Sequence, residues 1–176
     1  MIKTYSLLAY HAKTLSNSLT SFTLKNSNIS EQKTTSIQAI DHFIKQLDKT
    51  DLYLSQLNIQ TLTKQLFNKI KQKSLLILIG DFLGDIDLSS LNKKHELFIT
   101  IIRDSFEENP TILGEIEAKD PVTGKSSKFN FDKYAKDAYK KRYLENDKKL
   151  FKHLRSLKIN YIKIATNEDA YKKLYL

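Results

Sequence analysis

Apolar residues recur along much of the chain at the spacing of a helix. Ile37, Ile40, Phe43, Ile44 and Leu47 fall on one helical face, and Leu62, Leu66, Phe67 and Ile70 do the same within a helix expected over Leu57–Lys71. Both helices should pack against a sheet. Leu7, Leu8, Ala12 and Leu15 form an earlier stripe, so a first helix starts almost at Met1 and stops near Asn17-Ser18. Leu19–Leu24 lacks glycine and proline, is rich in β-formers and reads as a strand, with Asn26–Ser30 as a polar loop after it.

Two stretches break the helical period. Leu75-Leu-Ile-Leu-Ile-Gly-Asp81 is an unbroken apolar run ending on a glycine and a carboxylate, the pattern of a strand buried on both faces. Leu97-Phe-Ile-Thr-Ile-Ile102 repeats it and ends on Arg103-Asp104. Their separation suits parallel strands joined by a crossover, which would bring Asp81 and Asp104 out on one edge, where ligands of open α/β sheets sit. Ile112–Lys119 and Lys125–Phe131 flank Asp120-Pro-Val-Thr-Gly124, a hairpin signal. Asp132–Leu157 contains neither glycine nor proline and aligns Tyr139, Tyr143, Leu150, Leu154 and Leu157, so it should be one long helix. Its opposite face is basic through Lys140, Lys141, Arg142, Lys148, Lys149 and Lys152, diluted by Asp137, Glu145 and Asp147. Ile159–Ile164 reads as a last strand, and Thr166-Asn-Glu-Asp169 as a capping signature for a short helix through Leu174. The order is α/β, a mostly parallel sheet flanked by helices with one β-hairpin insertion.

Composition narrows the class. At 176 residues with 40% hydrophobic content, one domain with a real core is expected. Absence of cysteine removes disulfides, thiolate metal sites and cysteine nucleophiles, and suits a reducing, cytoplasmic setting. The longest apolar run, Leu75–Ile79, is far short of a membrane span, so no membrane partner is expected of this chain. The net charge of +9 raises the question of nucleic acid, but only Arg103, Arg142 and Arg155 are arginines. A lysine-dominated excess lacks the guanidinium forks that read phosphates and bases, so only non-specific binding is expected.

Chemistry-bearing motifs are sparse. His11, His42, His95 and His153 never show a two-ligand helical spacing, and the isolated Gly80, Gly84, Gly114 and Gly124 make neither a phosphate loop nor a nucleophile elbow. Asp81, Asp85 and Asp87 with Asp104 are the carboxylates that could hold Mg²⁺. A Mg²⁺-dependent phosphoesterase or nuclease using Asp81, Asp85 and Asp104 is therefore one reading. Against it, such aspartates commonly cap turns and helices, and no general base stands beside them in sequence. Thr50 in Lys49-Thr50-Asp51-Leu52 is open in the same way, to a ligand role or to helix capping.

The order of elements, with Ile79-Gly-Asp-Phe-Leu83 and the Asp120–Gly124 turn, resembles the domain of unknown function 58 family, which has a von Willebrand factor A-like, Rossmann-like fold and is often encoded beside MoxR-type AAA+ ATPases. The resemblance is most specific over Leu75–Leu176 and looser over Met1–Ser74. It implies a non-enzymatic protein-interaction module, a partner or the remnant of a partner of a MoxR-type ATPase in protein-complex assembly. In von Willebrand A domains an Asp-x-Ser-x-Ser loop, a threonine and an aspartate hold a divalent ion. By resemblance Thr50 and Asp81 take the second and third places. The first is missing: Thr14-Leu-Ser-Asn-Ser18 lacks the carboxylate and Asp87-Leu-Ser-Ser-Leu91 the last serine. Two oxygens are too few for a hard cation that takes about six or more, so Mg²⁺ is expected only if an upstream Asp-x-Ser-x-Ser segment is supplied. The family's central first strand is also missing, which implies one N-terminally truncated von Willebrand A-like domain over residues 1–176 or a sheet that closes differently.

Overall fold

The computed structural model describes residues 1–25, 28–50, 59–112, 114–119 and 124–175. The chain runs α1 (Ile2–Thr14), β1 (Thr20–Lys25), β2 (Asn28–Lys33), α2 (Ile37–Asp48), α3 (Ile59–Lys69), β3 (Leu75–Gly80), α4 (Ser89–Lys94) and β4 (Glu96–Arg103). It continues through α5 (Ser105–Glu108), β5 (Gly114–Lys119), β6 (Ser126–Phe131), α6 (Lys133–Ser156), β7 (Asn160–Ala165) and α7 (Ala170–Tyr175). The architecture is α/β: a three-stranded parallel sheet in the order β3-β4-β7, flanked by helices, with two antiparallel hairpins, β1-β2 and β5-β6. This arrangement is compatible with a Rossmann-like fold.

Strand alternation divides the sheet into two faces. On one, Leu76 and Leu78 lie beside Leu97, Ile99 and Ile101, in a core closed by Leu66 of α3, Leu91 of α4 and Leu150 and Leu154 of α6. Phe22 and Ile29 place the first hairpin on the same core. On the other face Thr100, Ile102 and Ile164 are buried as well, so β4, flanked by strands on both sides, is the strand covered on both faces.

β3 corrects an expectation. Its apolar run suggested burial on both faces, yet it is an edge strand, with Leu75 57% and Ile77 38% exposed. A continuous apolar run registers which side chains avoid water, not which strand will lie next to them. The expected loop over 26–30 is also revised, because β2 begins at Asn28 and pairs with β1 from Lys25↔Asn28 to Thr20↔Lys33. Only residues 26–27 of that loop lie outside the described residues. Of the two helices expected on the sheet, α3 delivers Leu66 to its core, whereas α2 packs on α1, with Phe43 against Tyr5. In α1 the buried positions are Thr4 and Ala9, while Leu15 stands exposed.

Local chemistry explains the element ends. Ser36 accepts the Ala39 amide at 3.1 Å and starts α2, and Asp132 accepts the Ala135 amide at 2.9 Å and starts α6. α6 runs to Ser156, and Lys158 in the left-handed region, at φ +55°, turns the chain into β7. The second hairpin pairs Gly114↔Phe131 through Lys119↔Ser126, and residues 120–123 of its turn lie outside the described residues. Phe131 meets Tyr139 edge-on, which seats this hairpin on α6.

Candidate functional site

The carboxylates singled out in the sequence gather at the C-terminal edge of the parallel sheet. β3 and β4 run in register, Gly80↔Ile101, so the residues that follow them, Asp81 and Asp104, emerge on the same edge as expected. Each has a local task. Asp81 accepts the Leu83 amide at 3.4 Å, a tight turn in which Phe82 takes φ +52° and tucks its ring into the core. Asp104 caps α5 by accepting the Phe106 amide at 2.8 Å, and its other oxygen accepts the Thr166 hydroxyl at 3.1 Å, tying the ends of β4 and β7 together. Asp87 accepts the Ser89 amide at 2.9 Å, and hydrogen bonds from the Ser89 hydroxyl and amide hold its carboxyl below the ordinary range. Asp85 is exposed on the same loop.

Thr50 closes α2. Its hydroxyl donates to the Gln46 carbonyl at 2.7 Å and its amide to Leu47, while Asp51 and Leu52 lie outside the described residues. Among the described residues no group of three or more His, Asp or Glu side chains is placed to hold a metal ion. The serine-bearing stretches are likewise structural: Thr14 donates to Tyr10 within α1, and Asp87–Leu91 forms the entry to α4. Of the histidines, His153 Nε2 accepts the Leu88 amide at 3.1 Å, which moors the carboxylate loop to α6. His95 is only 3% exposed, and burial, seconded by Lys94, lowers its pKa.

A buried charge cluster was not anticipated. Asp147, expected on the solvated basic face of α6, is instead buried, and its Oδ1 accepts Arg103 Nη2 at 2.7 Å. Lys163 of β7 reaches Asp147 Oδ2 at 3.3 Å and pairs with Glu108, which also accepts the Tyr143 hydroxyl at 3.3 Å. The Arg103 guanidinium sits 5.3 Å from the Tyr143 ring centroid. Burial pushes the Tyr143 hydroxyl well above its ordinary pKa; Arg103 opposes that shift, and Glu108 and Asp147 add to it. The signal was present in the spacing: Asp147 shares a helical face with Tyr143, Leu150 and Leu154, the buried positions of α6. With two cations and two anions, the cluster is internally balanced and clamps α6 and α5 to the ends of β4 and β7.

What the C-terminal edge presents to solvent is therefore acidic and partly apolar. Asp81, Asp85 and Asp87 are exposed there, together with Leu83 at 39% and Phe106 at 48% exposure. Among the described residues no helix is long and apolar enough to cross a membrane. Comparison of the chain with protein-family models, curated proteins and solved structures gives no match.

Proposed function

We propose that this chain is a non-enzymatic protein-interaction module of the von Willebrand A type, working with a MoxR-type AAA+ ATPase in protein-complex assembly. The observation that carries the reading is the C-terminal edge, where exposed Leu83 and Phe106 stand among exposed carboxylates on turns fixed by hydrogen bonds. Rigidly held apolar groups inside a charged rim are what a protein partner can grip. Asp81, Asp87 and Asp104 serve as turn and helix caps, a role that suits recognition of a basic partner surface better than hydrolysis. Mg²⁺ enters this reading only with further oxygen ligands joining Thr50 and Asp81 from an Asp-x-Ser-x-Ser segment.

The test is binding of the purified chain to a purified MoxR-type ATPase from the same genome, in each nucleotide state. Saturable binding in about the micromolar range, the range of transient partners, is expected. Phe106→Ala should weaken it by about thirtyfold if that ring is a central anchor. Absence of binding in every nucleotide state refutes the reading. Turnover of a phosphodiester in Mg²⁺ or Mn²⁺ that disappears in Asp81→Ala replaces it with hydrolysis.

A further inference from the structure

β3 is the unusual element of the sheet. It pairs on one side only, with β4, so among the described residues its outer backbone groups have no strand partner. Such an edge is a template for another strand, and proteins ordinarily blunt it with charges or proline. β1, β2, β4, β5, β6 and β7 each contain at least one charged residue; β3, Leu-Leu-Ile-Leu-Ile-Gly, contains neither a charge nor a proline. Its outward-open face shows Leu75 and Ile77 at 57% and 38% exposure. The charges lie just beyond its ends and differ in sign: exposed Lys71 and Lys73 precede it, exposed Asp81 and Asp85 follow it.

This arrangement is complementary to itself when reversed. We infer that the outer edge of β3 pairs antiparallel with β3 of a second copy, joining two three-stranded sheets into one continuous six-stranded sheet. A two-fold axis normal to the sheet keeps the same face up in both copies and is the closed, isologous solution. With that axis at Ile77, Leu75 of each copy lies against Ile79 of the other, and Lys73 against Asp81. Directly opposite apolar and opposite-charge pairs are the contacts that stabilise antiparallel strands. The two alternatives match less well. In a parallel pairing lysines face lysines and aspartates face aspartates, and a foreign strand would need the same apolar run and polarity that this chain already carries.

Sedimentation velocity tests the pairing. The wild-type chain should dimerise with a dissociation constant in about the micromolar range, as befits an interface built on one short strand. Ile77→Lys, at an already exposed position, should be monomeric, with a concentration-independent melting curve that matches the wild type diluted below its dissociation constant. Lys73→Asp alone and Asp81→Lys alone should each weaken dimerisation about tenfold or more, because like charges then face each other across the axis. An equimolar mixture of these two variants should form a heterodimer, and the double variant on one chain should recover the homodimer. Amide exchange over Leu75–Gly80 should slow with concentration in the wild type and not in Ile77→Lys. A wild-type chain that stays monomeric to about 100 μM overturns the inference. So does a dimer indifferent to Ile77→Lys, or β3 protection that arises only on adding an unrelated strand-forming peptide. Binding of the AAA+ ATPase by monomeric Ile77→Lys separates this edge from the C-terminal surface proposed above, so either can fail alone.

Discussion

Removing the Asp147 carboxylate leaves a guanidinium that water cannot reach. The Arg103 side chain is fully buried and that of Asp147 is 8% exposed, and among the described residues the 2.7 Å hydrogen bond between them is the one hydrogen bond of the Arg103 side chain, whose Nε and Nη1 have no partner. Lys163 does not help, since with Asp147 gone it adds a second positive charge balanced by Glu108 alone. Breaking a buried pair by deleting one partner costs about 3–5 kcal/mol. That is a large part of the roughly 5–15 kcal/mol that holds a domain of this kind together. Asp147→Ala should therefore lower the melting temperature by roughly 6–20 °C, at about 2–4 °C per kcal/mol for a chain of this size. Asp147→Asn, which keeps an acceptor but not the charge, should fall between. Replacing both partners, Arg103→Met with Asp147→Leu, should recover most of the loss, because a desolvated pair often contributes little beyond an apolar replacement. Urea unfolding followed by circular dichroism gives the double-mutant cycle. A loss under about 1 kcal/mol in Asp147→Ala, the value of an exposed pair, would falsify the buried clamp. So would a double variant whose destabilisation is the sum of the singles.

Two further outcomes are expected. His95 is held below its unfolded value by burial, so the unfolded chain takes up a proton first: stability is full above about pH 6.5 and falls as pH drops toward the folded value. Urea midpoints across that window should decline on acidification and lose part of that slope in His95→Leu; an unaltered slope removes His95 as the cause. Asp132→Ala deletes the side-chain cap on the Ala135 amide and should cost about 1 kcal/mol, visible as a lower urea midpoint with unchanged m-value. Asp132→Asn, which retains the acceptor, should cost much less, and equal losses in the two variants argue against the cap.

Much of this architecture was legible because it is written in short-range patterns. The 3.6-residue period of Ile37, Ile40, Phe43 and Leu47 needs no partner to be recognised, and neither does the uninterrupted span from Asp132 to Leu157, whose helix ends within a residue of expectation. The parallel pairing of β3 with β4, and with it the shared edge of Asp81 and Asp104, followed from two apolar runs too far apart for a tight hairpin. β2 escaped notice for the opposite reason. Asn-Ile-Ser-Glu-Gln-Lys has almost no apolar content, and only its ladder with β1 makes it a strand.

The candidate site divides along the same line. By itself the sequence determined which side chains shun water and which residues end strands and helices, since those properties depend on spacing and on hydrogen bonds a few residues long. Tertiary structure decided what lies beside them. Asp147 is a buried ion rather than a surface charge because Arg103, 44 residues away, arrives at the end of β4 on the same face of the sheet. At the C-terminal edge Asp81, Asp87 and Asp104 each accept a hydrogen bond from an amide or hydroxyl within their own loop or a neighbouring one, and among the described residues no group of three or more His, Asp or Glu side chains is placed to hold an ion. β3 became an edge, with its hydrophobic face half open, because burial requires a neighbour. An apolar run can call for a neighbour, but only the packing of the whole chain supplies one.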